Sequence, residues 1–186
     1  QAHYLKIISD EIKRLARLAN SMLAVSRLES GRELEKSVFD VSEMVRRIVI
    51  GFEQKLTEKR IEVELDIPEN QNIKAEHDSF FQAVYNLVDN AVKFTDVGGT
   101  ITIYMAEISG KLQFNIINTG SQIPPEKIRF IFDRFFKGDT SRNRNTGGSG
   151  LGLYITKTVI KQHGGDVFVR SNENKTEFCF IIPLSK

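Results

Sequence analysis

Apolar residues recur in steps of three and four over the first thirty positions, at Leu5, Ile8, Ile12, Leu15, Leu18, Met22, Val25 and Leu28. That spacing predicts one amphipathic helix over residues 1–30 with a coiled-coil-like seam, the rest of its surface carrying charges such as Asp10, Glu11, Lys13 and Arg17. A stripe of this kind needs a partner helix, and the sequence offers no obvious one nearby. "ESGRELEKS" then reads as a polar connector. From Val38 a new unit begins: Ser42 or Asp40 suits a helix N-cap, and helical periodicity runs through Leu56. "IEVELDI" alternates as a strand and stops at Pro68, and "NIKAE" is a short extended piece. "DSFFQAVYNLVDNAVKFT" is a long helix. "GGTITIYMAEISGKLQFNIIN" is a hairpin turning at Ser109-Gly110, and "PPEKIRFIFDRFF" a helix with Pro124-Pro125 in its first turn. The polar, Gly-rich "GDTSRNRNTGGSG" is a loop, "LGLYITKTVIKQHGG" a helix closed by Gly164-Gly165, and "DVFVRSN" with "KTEFCFIIPL" a final strand pair. Helices alternate irregularly with hairpins, which predicts an α+β fold, a two-layer α/β sandwich preceded by one long amphipathic helix.

Composition narrows the class without changing that picture. The 186 residues fit one domain plus a helical arm, and 40% hydrophobic with 27% charged residues is the balance of a soluble globular protein. A net charge of +2 is too small to argue for nucleic acid or an anionic membrane surface. No apolar run approaches the ~20 residues of a membrane span, and no signal-peptide pattern opens the chain. It begins on Gln1, in mid-helix by pattern, so the expectation is a piece of something longer. The single cysteine, Cys179, sits in an alternating strand and reads as a small buried residue.

Candidate chemistry lies in three places. Asn86, Asn90 and Lys93 fall on one face of the long helix. Amide oxygens can complete the shell of a Mg²⁺ that bridges phosphates, and a lysine adds a point charge; the same residues are also what a plain solvated helix face would show. In "GGSGLGL", Gly148, Gly150 and Gly152 alternate ahead of a helix, where glycines let backbone N–H groups approach phosphate. Alone this is a weak signal, neither a Walker A sequence nor a Rossmann fingerprint. "IINTGSQIP" has the form of a nucleotide-binding turn with an uncharged residue, Asn118, at its pivot.

Taken in order, Asn-x-x-x-Asn-x-x-Lys, "NTGSQIP", "IFDRFFKGD" and "GGSGLGL" resemble the N, G1, F and G2 boxes of sensor histidine kinases, within the ATPase superfamily that includes DNA gyrase, Hsp90 and MutL. The resemblance covers nearly the whole chain. It implies a Bergerat-type ATP-binding catalytic domain at 38–186, a linker at 31–37, and at 1–30, with "LANSMLAVSRLESG", the second helix of a dimerisation and phosphotransfer hairpin. It implies ATP and Mg²⁺ as cofactors. Asn86, Asn90 and Lys93 become the catalytic set, with Asn90 ahead of Asn86 for the metal. Phe94, Asn118, Gly120, Ile123, Lys137, Gly148, Gly150, Leu151, Gly152 and Leu153 join those three at the nucleotide, with Arg142 or Arg144 as further phosphate contacts. It also implies a homodimer in the full-length protein, a response regulator as partner, no nucleic acid, and a cytoplasmic location in a bacterial sensor anchored to membrane only through segments absent here.

Departures from the family pattern carry their own expectations. Gyrase-type relatives have Glu where this chain has Asn86, and an amide is no general base, so hydrolysis should be slow and the γ-phosphoryl kept for a histidine. No His-acid acceptor motif is present; His3, His77 and His163 read as structural or solvated. Asn118 replaces the family's adenine-reading Asp, and Gln122 its second glycine. The alternative is therefore a pseudokinase or interaction domain with impaired nucleotide binding.

Overall fold

The computed structural model describes residues 2–30, 33–120, 122–137 and 148–184, the side chains of 2–10, 13, 14 and 17 excepted. A five-stranded sheet carries one layer of helices. Its order is β2 (Glu62–Asp66), β4 (Thr100–Ile108), β5 (Lys111–Thr119), β7 (Lys175–Pro183), β6 (Asp166–Asn172), with β2 parallel to β4 and the other pairs antiparallel. A separate two-stranded ribbon pairs β1 (Ser37–Asp40) with β3 (Asn72–Ala75). The predicted two-layer α+β sandwich is what forms.

Period-two alternation aims Ile101, Ile103 and Met105 of β4, Leu112, Phe114 and Ile116 of β5, and Phe178, Phe180 and Ile182 of β7 toward the helices. Phe114 and Phe180 face each other in register and stack at 4.9 Å. Phe80 meets Phe180 edge-on at 5.7 Å, so aromatic geometry joins the two layers at their centre. Phe80 belongs to α4 (His77–Phe94), whose buried stripe of Phe80, Ala83, Val84, Leu87, Val88, Ala91 and Val92 keeps the spacing of one helical face. The hairpin turns at Ser109 (φ 53°) and Gly110 (φ 73°), the left-handed pair that matches strand twist.

The long helix expected up to Leu56 is two: α2 (Val41–Ile50) and α3 (Glu53–Lys59). Asp40 is the N-cap of α2, its Oδ1 accepting from Ser42 N at 2.9 Å. The axis breaks because Phe52, 3% exposed, turns inward against Tyr85 at 5.1 Å. The ribbon strand β1, just before the cap, carries no clear alternation and was not expected. The "PPEKIRFIFDRFF" helix shrinks to α5 (Pro125–Ile128). A chain of i→i−3 bonds follows, Phe130 to Lys127, Asp133 to Phe130 and Phe136 to Asp133. Tight turns let Ile131 bury, with Phe132 and Phe136 half-buried against the core, which a straight α-helix would not.

α6 (Gly152–Gln162) lies beside α4. The arm α1 (Ala2–Glu29) touches it through its last turns, where Val25 is buried with Ala83, Leu151, Ile155 and Val159. Gln162 Nε2 donates to Leu28 O at 2.7 Å, and Tyr154 Oη donates to Glu29 at 2.7 Å. Arg134 binds both Glu29 and Tyr154. Farther back, Ile12, Leu15, Met22 and Leu23 of α1 stand exposed.

Candidate functional site

The C-terminal half of α4 collects the polar residues that its apolar stripe does not use. Asn86, Asn90 and Lys93 are each half-buried. Their bonding separates them. Asn86 is committed: its Oδ1 accepts from Gln82 Nε2 at 2.9 Å and its Nδ2 donates to Gly152 O at 3.1 Å. Thr156 Oγ1 reaches the same carbonyl at 3.1 Å and Ala83 O at 3.2 Å, so the start of α6 is tied to α4 twice. The amide of Asn90 makes no hydrogen bond to any described residue. Lys93 Nζ lies 5.1 Å from the ring centroid of Phe94, itself 37% exposed.

The glycines before α6 reach this face. A Cβ on Gly148 would stand 3.0 Å from Lys93 Nζ, and one on Gly152 3.4 Å from Asn86 Cγ. Gly150 has φ +74°, and a Cβ there would fall 2.8 Å from the backbone of Phe135, itself at φ 60°. Only glycine fits where these two backbones press together. Among the described residues no side chain caps the first turn of α6, which leaves its N–H groups and partial positive charge beside Asn86. Leu151 is 1% exposed in the cluster that receives α1, and Leu153 packs on the main core; both hold the turn from beneath. Lys137 is exposed at the end of the tight turns. Gly147, Arg142 and Arg144 lie outside the described residues.

The third part is the exit of β5. Asn118 is 4% exposed between Ile101 and Thr176 on the helix side of the sheet. Its Nδ2 makes one long bond, 3.3 Å to Thr119 O, while its Oδ1 accepts nothing from the described residues. Gly120 follows at φ +148°, and a Cβ there would strike Phe94 O at 2.3 Å. Together with the Thr95–Gly120 bridge, this fastens the end of β5 to the end of α4, so Asn118, Phe94 and Lys93 belong to one corner. Ile123 is half-buried; its N–H donates to Ser171 Oγ at 2.9 Å, which pairs with Thr176 Oγ1 at 2.9 Å.

Gln82, Thr156, Ser171 and Thr176 support the site and were not anticipated. Thr176 faces Asn118 across the β5–β7 pair. The others make contacts that only tertiary packing creates. The histidines stand elsewhere. His163 is buried, its Nε2 accepting from Glu76 N at 3.0 Å and its Nδ1 donating to Val159 O at 2.8 Å, and burial lowers its pKa below the usual value. Glu76 caps the start of α4 and Lys93 closes its far end, so the 18-residue helix separates them by roughly 25 Å. Exposed His77, paired with Asp78 at 3.0 Å, is also at the start. Cys179 is half-buried on the outer face of the sheet, where burial raises its thiol pKa.

The amides of Asn90 and Asn118, a lysine, a glycine turn and the first turn of α6 thus lie around the end of α4 at one corner of the α/β sandwich. The chain belongs to the histidine kinase-, DNA gyrase B-, and HSP90-like ATPase family, whose model matches residues 75–186. Among curated relatives it is 34% identical over 183 residues to sensor protein SrrB of Staphylococcus aureus (strain NCTC 8325 / PS 47), covering 98% of this chain and 31% of that protein. The chain thus spans about a third of the curated relatives it matches. Among solved structures it resembles the catalytic domain of histidine kinase ThkA in nucleotide-free form, with 31% identity, TM-score 0.73, and coverage of 81% of this chain and 97% of that one. ThkA in complex with the response regulator TrrA aligns at 29% identity, TM-score 0.79, over 98% of this chain and 51% of that one. Full-length ShkA in complex with AMPPNP gives 27% identity and TM-score 0.85, over all of this chain and 39% of that one. The domain is thus of the sensor-histidine-kinase type.

Proposed function

We propose that this chain is the ATP-binding catalytic module of a two-component sensor histidine kinase. It passes the γ-phosphoryl group of ATP to a histidine outside these residues, and thence to an aspartate of a response regulator. The observation that carries the reading is the split between the two asparagines: Asn86 is spent on holding Gly152, while the amide of Asn90, one turn on and three residues before Lys93, bonds to none of the described residues. Among the described residues no group of three His, Cys, Asp or Glu could hold a metal, so an ion here would rest on amide oxygen, water and phosphate. That donor set suits Mg²⁺, which keeps several waters and joins few protein ligands, and when bound it would neutralise charge on the phosphates.

The residues divide the remaining work. Lys93 supplies a fixed positive charge, and the N–H groups opening α6 supply donors for phosphate oxygens. Asn118 Oδ1, which accepts from none of the described residues, offers an acceptor to the amino group of adenine, with Phe94 flanking the same corner. No carboxylate stands at position 86 to deprotonate water, so this chain's own groups favour holding the phosphoryl over hydrolysing it. Residues 2–29 act as the second helix of the hairpin, and the exposed Ile12, Leu15, Met22 and Leu23 suit a homodimeric helical core. ShkA with AMPPNP and ThkA with TrrA support the nucleotide and the response-regulator partner. Among the described residues no helix is long and apolar enough to cross a membrane; the module works in the cytoplasm, and any anchor belongs to other parts of the sensor.

The test is phosphoryl transfer in trans. Incubated with Mg²⁺ and γ-labelled ATP, the chain should label a sensor-kinase hairpin that presents its acceptor histidine, with an acid-labile bond, and Asn90→Ala should not. Steady release of free phosphate without transfer would instead mark a hydrolytic ATPase.

A further inference from the structure

The carbonyl end of α4 is gripped by a residue from outside the site. Lys59, the last residue of α3, directs Nζ at three main-chain oxygens: Val92 O at 2.9 Å, Lys93 O at 3.0 Å and Thr95 O at 2.7 Å. Carbonyls in the last turn of a helix have no partner of their own, and an ammonium is a strong donor to them. Its own carbonyl accepts from Gly98 N at 2.9 Å, so the same residue holds the turn leading into β4. Lys59 is half-buried; desolvation lowers its pKa from the usual lysine value, with Asp96 opposing.

The consequence lies in what this turn carries. Lys93 and Phe94 are its final residues, Asn90 is one turn earlier, and Phe94 O fills the space that a side chain on Gly120 would need. A shift of a few tenths of an ångström here would move the lysine, the aromatic ring and the exit of β5 together. Polarity matters as well. A helix favours anions at its N-terminus and repels them at its C-terminus, yet the candidate phosphate groups cluster at the C-terminal half of α4.

We infer that Lys59 is a positioning residue for the nucleotide site: it locks the backbone bearing Asn90, Lys93 and Phe94 and offsets the negative end of α4 where a triphosphate must lie. The inference rests on the nucleotide-binding reading above. Lys59→Met keeps the side chain's length but removes charge and donors, whereas Lys59→Arg keeps both. Val45→Ala, a truncation in the buried face of α2, controls for stability loss alone.

Two quantities decide the matter: the dissociation constant for AMPPNP with Mg²⁺ by calorimetry, and the amide ¹H–¹⁵N shifts of residues 93–99 and 120 without nucleotide. Lys59→Met should bind about tenfold more weakly, the size expected of a favourable helix-end charge, with those amide signals displaced. Lys59→Arg should recover most of the affinity, and Val45→Ala should leave affinity and those signals near wild type. Equal affinities for Lys59→Met and Val45→Ala would overturn the inference. If Lys59→Met does not fold, Lys59→Gln, uncharged but still a donor, enters the same comparison. A flat titration with wild-type protein would overturn the nucleotide reading and this role with it. The amide shifts, read without nucleotide, would still show whether Lys59 grips α4, which keeps the two failures apart.

Discussion

Replacing Asn86 and Asn90 separately by alanine should produce opposite signatures, although the two residues share one helix face. Asn86 makes two side-chain hydrogen bonds, 2.9 Å from Gln82 and 3.1 Å to Gly152 O. Neutral bonds contribute roughly 0.5–1.5 kcal/mol each, net of water. Gly152 O keeps Thr156 Oγ1 at 3.1 Å, so the loss sits near the low end. Alanine returns up to about 0.7 kcal/mol in helix propensity. Asn86→Ala should therefore cost about 0.3–1 kcal/mol, a fall of roughly 1–4 °C in Tm for a chain of this size. Asn90 makes no bond to the described residues, so Asn90→Ala should leave Tm unchanged or raise it slightly. Titration with AMPPNP should invert the ranking: Asn90→Ala abolishes the gain in affinity from Mg²⁺, while Asn86→Ala weakens binding but keeps that gain. Scanning calorimetry and isothermal titration on the same preparations read both halves. An Asn90→Ala protein that melts below Asn86→Ala, or that still binds better with Mg²⁺, would refute the division of labour.

Asn118→Asp should tighten ATP by about fivefold, the difference between a charged and a neutral acceptor, and should raise the ATP-to-GTP preference, because guanine O6 would then face a carboxylate. Competition titrations with both nucleotides read the ratio, and an unchanged preference contradicts the role of Asn118. His163 should make folding sensitive to mild acid. Burial and Lys36 hold its folded pKa below the ordinary 6.5, with the bond to Val159 O and the charge of Glu76 opposing, so the unfolded chain takes up the proton first. Stability from the neutral ring is fully present above 6.5 and is lost as pH falls toward the folded pKa. Protonation would also aim a second N–H at the amide of Glu76. Between pH 7.5 and 5.5 the wild-type Tm should therefore drop more than that of His163→Gln, and equal drops would remove His163 as the cause.

Much of this architecture is legible in the residues because its signals are local. The period of α4, the Ser109-Gly110 turn and the alternation in β4, β5 and β7 each follow from spacing within one segment, and tertiary packing agrees with all of them. The structure departs from the local pattern where packing overrides local preference. Phe52 breaks a helical pattern because a buried slot beside Tyr85 accepts it. Ile131 pulls "PPEKIRFIFDRFF" into successive tight turns for the same reason. At the site, the order and spacing of Asn86, Asn90, Lys93 and the alternating glycines carried the reading. What spacing could not separate was Asn86 from Asn90, because both are asparagines on one face and only the position of Gly152 O distinguishes them. Lys59 left no trace in the pattern either; its partners are main-chain oxygens 33 to 36 residues away, which any sequence possesses.

If this corner binds nucleotide as proposed, the ligand is an adenine nucleotide with Mg²⁺. Calorimetric titration of the chain with AMPPNP, with and without Mg²⁺ and beside Asn90→Ala, tests it most directly. Binding should be saturable and strengthened by Mg²⁺ in wild type, and not strengthened in the variant. No heat of binding at millimolar nucleotide, with the protein folded, would contradict it and leave an interaction domain that keeps the fold without the ligand.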